Sequence, residues 1–286
     1  VKVKNQVLPL IPPLKWAGGK RWLLPQLKKL WASNEDRRLV ELFCGGLAVT
    51  LGLVPKKALL NDINPHLINL YHHLQRGLKI SIPLENNADT YYRHRKRFND
   101  LIRLGESQSL EAAQLFYYLN RTGYNGLCRF NQSGEFNVPF GKYKVINYQV
   151  DFTHYKQPLS AWQFQVGSFE STSIAPTDFV YADPPYDVEF VSYTKEGFRW
   201  EQQVKLAEWL VEHRGPVVLS NQATDRIVAL YKKLGFQLVF LMSPRRISCT
   251  GDRTPALEVL AIRGMDIDIR VLQEESRDRS IQIPLL

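Results

Sequence analysis

The residue types best suited to chemistry stand together at Asp183-Pro184-Pro185-Tyr186. Two consecutive prolines fix the backbone and remove two N–H donors, so the loop presents carbonyl acceptors in set directions. An amino group has two N–H bonds to place, and the Asp183 carboxylate and the Pro184 carbonyl can accept both. Tyr186 can stack on an aromatic ring that bears the amino group. A Pro-Pro pair alone reads as a rigid turn after a strand. The aspartate before it and the tyrosine after it point instead to a held aromatic amine.

Two other loops carry functional residue types. Phe43-Cys44-Gly45-Gly46 follows an apolar run, and its glycines let a ligand approach the backbone. Taken alone, it reads first as a tight strand-to-helix turn. Asp62 follows a second apolar run, where an acidic residue can accept both ribose hydroxyls of an adenosine-containing ligand. Without the other motifs, Asp62 reads nearly as well as a helix-capping aspartate. The chain has neither G-x-G-x-x-G nor G-x-x-x-x-G-K-[ST], which disfavours a nicotinamide or flavin dinucleotide and a phosphate-binding loop. Cys44, Cys128 and Cys249 form no Cys-x-x-Cys pair, so neither a disulfide framework nor a zinc site is expected. The six histidines, His72 and His73 among them, are scattered and read as surface residues. No metal is expected, and the H-x-E with P-C-x-x-C of a zinc base deaminase is missing.

Strand–helix alternation must position these loops. Apolar positions at 23, 24, 27, 30 and 31 predict a helix over 21–31. Residues 39–43 and 57–60 read as strands, with a helix from about Ala48 between them. Asn64 followed by Pro65 marks a helix start, and Gly77 its end. Alternation resumes near Gln163, with strands over 178–182 and 217–220 and helices over 200–214 and 225–234. Runs 236–241 and 256–262 read as two final strands joined by a polar loop. This pattern predicts a mostly parallel sheet with helices on both faces and ligands at the carboxyl ends of its strands.

The middle of the chain breaks the alternation. Residues 91–156 hold ten Lys/Arg against five Asp/Glu, and so supply five of the nine net positive charges. Eleven aromatics lie between Phe116 and Tyr155, interleaved with glycine and asparagine. This stretch predicts an inserted, loop-rich domain. Phe116, Tyr117 and Leu119 read as core, and 91–98 equally as a solvated helix face or a contact surface. A formal charge of +9 and a pI near 9.4 favour a polyanionic partner. At 44% apolar and 23% charged residues, the chain is ordinary for a soluble protein. No run reaches the roughly 20 apolar residues of a membrane helix, and residues 1–14 lack the pattern of a secretory leader. Scattered cysteines fit a reducing cytoplasm.

The ordered motifs resemble the Dam-type adenine-N6 DNA methyltransferases, a site-specific family that uses S-adenosylmethionine. Pro13-Leu14-Lys15-Trp16-Ala17-Gly18-Gly19-Lys20 is similar to the family's N-terminal cofactor motif. Glu41-Leu42-Phe43-Cys44-Gly45-Gly46 is similar to its glycine-rich loop, and Asn61-Asp62-Ile63-Asn64 to its ribose-binding acidic motif. Residues 119–129, continuing through 134–141, resemble the signature of its DNA-recognition domain. The tetrad at Asp183 and Leu219-Ser220-Asn221 complete the series. The match spans about residues 13–262. Leu47 stands where many members carry a third loop glycine, and the loop 244–253 keeps two arginines but differs in its later residues.

The resemblance implies a fold, a cofactor and a set of roles. The fold is α/β, a Rossmann-like methyltransferase sheet with an inserted, mainly helical and loop-rich DNA-recognition domain. Residues 1–65 and 154–265 are expected to form the catalytic domain and 66–153 the insert, with 266–286 unassigned. Trp16, Lys20, Phe43, Gly45, Asp62 and Asp183 are expected to hold S-adenosylmethionine. Lys15, Tyr124, Asn125, Leu127, Arg129 and Pro139 are expected to meet double-stranded DNA. In this reading Tyr124 intercalates near an extruded adenine and Arg129 reads a base edge, as arginine does with guanine. Asp183, Pro184, Pro185 and Tyr186 hold the flipped base for direct in-line transfer, with Asp183 orienting and polarising the amino group. The family's usual target is the adenine of GATC. A modification role beside a cognate restriction endonuclease on the same site, with no stable complex, and a solitary DNA-marking role both fit, as does a cytoplasmic, DNA-associated location. Two rivals are weighed: a non-catalytic DNA binder, against which the intact tetrad and Lys20 stand, and a protein-glutamine methyltransferase, whose comparable loop begins with asparagine.

Overall fold

A computed structural model describes residues 10–187, 198–244 and 255–272. The apolar runs form seven strands: β1 (Leu39–Glu41), β2 (Ala58–Asp62), β3 (Trp162–Val166), β4 (Phe179–Ala182), β5 (Val217–Gln222), β6 (Gln237–Ser243) and β7 (Ala256–Arg263). They make one sheet in the order β3-β2-β1-β4-β5-β7-β6. β1 lies parallel between β2 and β4, β3 and β5 extend the parallel region, and β7 runs antiparallel between β5 and β6. The chain leaves β1 towards one edge and β4 towards the other, so a crevice opens where their following loops diverge. Glu41 is in register with Tyr181. The segments that begin at Leu42 and Asp183 therefore emerge near one another. This is the expected Rossmann-like α/β architecture.

Helices cover both faces. α1 (Leu24–Ala32), α2 (Ala48–Leu53), α3 (Pro65–Gln75), α4 (Ala88–Arg103) and α5 (Leu110–Thr122) share one apolar core with the sheet. α6 (Trp200–Val211) and α7 (Asp225–Lys233) pack on the second. Alternate strand residues divide between the two: Leu39 and Tyr181 face the first, Val40 and Val180 the second. Burial on both faces is why these strands read as unbroken apolar runs. Asn64 caps α3 by accepting from the backbone N–H groups of His66 and Leu67, with Pro65 at the first position.

In the middle stretch α5 is buried along most of its length, and Phe116, Tyr117 and Leu119 are core residues as expected. On α4, Tyr91 and Phe98 turn inward while Arg97 and Arg103 pair outward with Glu111, Asp100 and Glu135. Beyond Gly126 the chain is loop, held by short bridges such as Gly123 with Phe140 and Phe130 with Phe136. The expectation of surface histidines fails twice. His66 is buried against Phe98, Phe116 and Phe130, and burial pushes its pKa down to about 4. His213 is buried with Nε2 3.0 Å from the Asp178 carbonyl oxygen. Among the described residues no helix is long and apolar enough to cross a membrane. The expected loop between the last two strands, Cys249, residues 1–9 and the tail beyond 272 lie outside the described residues.

Candidate active site

Asp183 follows β4 directly, and two side chains, Lys20 and Ser220, fix its carboxylate. Lys20 opens a short 3-10 turn, Lys20–Leu23, and its Nζ lies 3.0 Å from Asp183 Oδ2. The same ammonium donates to the Gly18 carbonyl at 2.9 Å and stands 3.9 Å from Glu258 Oε2. Ser220 Oγ donates to Asp183 Oδ1 at 2.9 Å, and the Tyr181 hydroxyl backs Ser220 at 3.0 Å. Burial pushes the Asp183 carboxyl above its ordinary range, and Lys20 pulls against that. A buried ammonium this close keeps an acceptor-only carboxylate available for an N–H donor.

The rest of the tetrad is held through its backbone. Gln203 of α6 donates to the Pro185 carbonyl at 2.8 Å. Asn221 binds Gln203 and Tyr231 through Nδ2 at 2.9 and 3.1 Å, and its Oδ1 accepts from Asp187 N at 3.5 Å. Arg226 clamps the Asp187 carboxylate. These bonds give Ser220 and Asn221 a job: both position the loop. Among the described residues no donor reaches the Pro184 carbonyl. Tyr186 donates its hydroxyl to Glu258 Oε2 at 2.5 Å, and its ring lies 4.6 Å from Lys20 Nζ.

The glycine-rich loop and Asp62 form the neighbouring wall. Asp62 Oδ2 accepts from Gly45 N and Oδ1 from Asn64 N, both at 3.0 Å. Each oxygen keeps acceptor capacity for a diol, and burial pushes the carboxyl up. Asn61 donates to the Leu42 and Gly167 carbonyls at 3.0 Å, while its buried Oδ1 has no partner. Gly45 has φ +41°, and a Cβ there would sit 2.7 Å from Trp16 Nε1; one on Gly46 would sit 2.7 Å from Trp16 Cβ. The Trp16 indole therefore lies directly on this loop. Phe43 meets Phe198 edge-on at 5.5 Å. Leu47, at the expected third-glycine position, takes a left-handed backbone with φ +60°. Glu41 is buried on Thr50, and desolvation raises its pKa to about 8.

The expected DNA-facing residues gather beyond α5. Tyr124 is 49% exposed, and its N–H bonds to the Pro139 carbonyl at 2.9 Å. Asn125 is left-handed at φ +52°. Leu127 N bonds back to the Tyr124 carbonyl at 3.1 Å, and Arg129 Nε donates to Asn137 Oδ1 at 2.7 Å. Lys15 reaches this group from the cofactor side: its Nζ donates to the Arg121 carbonyl at 3.0 Å and lies 3.4 Å over Tyr143. Desolvation, then Arg121, lowers the Lys15 pKa to about 8.

Sequence reasoning missed Glu258, Gln203 and Asn120. Glu258 left one signal, a carboxylate inside the apolar run of β7. A cavity of about 640 Å³ lined by Val211, His213, Gly235 and Arg263 lies by the start of β5, away from these loops.

A mostly parallel sheet whose switch point brings the Asp183 loop beside the glycine-rich loop and the buried Asp62 carboxylate has the Rossmann-like architecture of a methyltransferase domain. The family model described as D12 class N6 adenine-specific DNA methyltransferase matches residues 16–243. The chain is 36% identical over 269 residues to the DNA adenine methylase of Escherichia coli, covering 87% of this chain and 94% of that one. It is 38% identical over 270 residues to the DNA adenine methylase of Salmonella typhi, covering 87% and 94%. It is 34% identical over 266 residues to the Retron Ec67 DNA adenine methylase of Escherichia coli, covering 88% and 90%. The chain belongs to the D12 class of adenine-specific DNA methyltransferases. That family implies S-adenosylmethionine as methyl donor and DNA as substrate.

Proposed function

We propose that the chain methylates the N6 amino group of adenine within GATC in duplex DNA, after extruding the base from the helix. The observation that carries this reading is the Asp183 carboxylate gripped by Lys20 and Ser220, beside a Pro184 carbonyl that no described residue engages. S-adenosylmethionine, when bound, supplies the sulfonium methyl. Trp16, Lys20, Phe43, Gly45, Asp62 and Asp183 form its binding set, with Asp62 taking the ribose diol and Trp16 and Phe43 giving apolar walls.

Extrusion costs a few kcal/mol, and Tyr124 offsets part of that by filling space in the duplex. Tyr186, anchored on Glu258, stacks on the extruded adenine. Asp183 and Pro184 accept the two amino hydrogens, which favours a more tetrahedral nitrogen and aims its lone pair for in-line attack; N6 would gain the methyl as the sulfonium–methyl bond broke, S-adenosylhomocysteine would leave, and the surplus N6 proton would pass to water. Asp183 orients and polarises, and the Lys20 ammonium holds it ionised. Residues 66–153 form the recognition unit, with Lys15, Asn125, Leu127, Arg129 and Pro139 on the DNA and Arg129 on a guanine edge. The setting is cytoplasmic. Methylation blocks a cognate endonuclease at the same site without a stable complex, or marks DNA alone.

The test is transfer of tritiated methyl to a GATC duplex, followed by nuclease digestion and nucleoside chromatography. Label is expected on N6-methyladenine, at least about 100-fold above a duplex with a scrambled site. No label at stoichiometric enzyme defeats the reading, and equal labelling of both duplexes defeats the GATC assignment. Resistance of host DNA to a GATC-cleaving endonuclease after expression reads the protection directly.

A further inference from the structure

One buried side chain joins the segment that carries Trp16 and Lys20 to the loop that carries Tyr124. Asn120, near the end of α5, is 1% exposed. Its Oδ1 accepts from Lys15 N at 2.9 Å, and its Nδ2 donates to the Lys15 carbonyl at 2.9 Å and to the Gly126 carbonyl at 3.1 Å. Both amide hydrogens and one acceptor position are thus used on backbone groups of two separate segments.

The two segments also touch directly. Gly126 has φ +64°, and a Cβ there would lie 2.3 Å from Lys15 Cβ. No other residue type fits that approach without displacing one chain. Tyr143, under the Lys15 ammonium, donates its hydroxyl to the Gly123 carbonyl at 3.1 Å. Lys15 is therefore tied to both ends of the loop 123–126. One residue on, the Trp16 indole lies over Gly45 and Gly46.

We infer that Asn120 is a positioning residue that couples the cofactor-side segment 15–20 to the recognition loop 123–127, so that a ligand on one side tightens binding on the other. The inference rests on the two sites as read under the proposed function. A ligand that orders Trp16 also orders Lys15, and Asn120 passes that restraint to Gly126. The loop then has less freedom to lose when DNA binds. The same factor must act in both directions. A side chain that only filled the core would change stability and leave that factor alone.

Hydrogen exchange on the full wild-type chain tests this without a variant. S-adenosylhomocysteine added without DNA slows exchange over residues 123–127; unchanged exchange there, with the analogue bound, overturns the inference. Equilibrium dialysis then gives the affinity for S-adenosylhomocysteine with and without a GATC duplex. The duplex tightens it roughly fivefold or more in the wild type. Asn120→Ala brings the ratio close to one, with thermal unfolding as the check on folding. Gly126→Ala wedges the same joint without removing a buried polar group and gives the same loss. A folded variant that keeps the wild-type ratio sinks the proposal. Failure of the wild type to methylate the duplex strikes the underlying reading, whereas normal methylation with a ratio of one strikes only the coupling.

Discussion

Lys20 Nζ and Asp183 Oδ2 lie 3.0 Å apart, the ammonium 3% exposed, although one residue precedes the first helix and the other follows the fourth strand. Breaking a buried pair by removing one partner leaves the other charge uncompensated. Desolvation already holds the Asp183 carboxyl above its ordinary range, with Lys20 opposing.

Lys20→Gln therefore raises the Asp183 pKa further. In the proposed mechanism the ionised Asp183 accepts the amino hydrogen far more strongly than its neutral acid would, so activity falls as pH drops through its pKa. The acidic limb of kcat/KM against pH moves upward in the variant, and transfer at neutral pH drops about 100-fold or more. Asp183→Ala abolishes transfer. Gel-shift affinity for DNA stays within a few-fold in both. A limb that does not move would separate Lys20 from the ionisation of Asp183.

Tyr186 and Glu258 act as a unit. The hydroxyl of Tyr186 reaches Glu258 Oε2 at 2.5 Å. Tyr186→Phe keeps the stacking ring and loses the anchor; Glu258→Ala loses the same bond from the other end. Each slows transfer roughly 10-fold, on the scale of a hydrogen bond to a charged group. The double variant is hardly slower than either single one. Fully additive losses in a single-turnover assay would show that the two residues work separately.

Glu41 makes stability depend on pH with an unusual sign. Its folded pKa is raised to about 8 by burial, against an ordinary value of 4.5. Between those values the folded chain holds a proton that the unfolded chain has lost, so stability falls as pH rises across that window. The loss is complete above about pH 8. Glu41→Gln removes the titration and keeps an oxygen for Thr50. Denaturant unfolding of the two proteins from pH 5 to 8.5 is expected to show the wild type falling progressively behind by a few kcal/mol. Parallel curves would place Glu41 outside this linkage.

The strands and the tetrad were legible because their signals are local. Continuous apolar runs mark strands buried on both faces, and the tetrad's prolines and aspartate adjoin in sequence. The Asn64 cap with Pro65 was legible for the same reason. The roles of Glu258, Gln203 and Asn120 were not, because each acts on a segment distant in the chain: Glu258 on Tyr186, Gln203 on Pro185 and Asn120 on Lys15. His66 misled in the same way: nothing near it in sequence announces Phe98, Phe116 and Phe130 around it.

Asn137 accepts from Arg129 Nε at 2.7 Å and fixes the guanidinium plane, so under the proposed function Arg129 meets its base already aligned. Arg129→Ala relaxes preference at one base pair by roughly 1–3 kcal/mol. Asn137→Ala leaves the guanidinium in place but unaligned, and so produces a smaller relaxation at that same pair. Methylation rates on duplexes with single changes in the site measure both. An effect at a different base pair in the two variants would end the connection between them.

Leu47 sets two costs against each other. It is fully buried, yet its backbone is left-handed at φ +60° just before α2. That backbone costs a non-glycine residue about 1–2 kcal/mol. Removing a buried leucine side chain costs roughly 2–5 kcal/mol. Leu47→Gly therefore destabilises despite relieving the backbone, which explains how leucine persists where many members carry glycine. Leu47→Ala loses nearly the same packing and keeps the strained backbone. Ordinarily glycine is worse than alanine by about 0.5–1 kcal/mol; here the order inverts, with the glycine variant more stable by about 1 kcal/mol. Urea unfolding of the two variants side by side decides the matter, and an alanine variant as stable as the glycine one or more so would mean that the left-handed turn does not survive in solution.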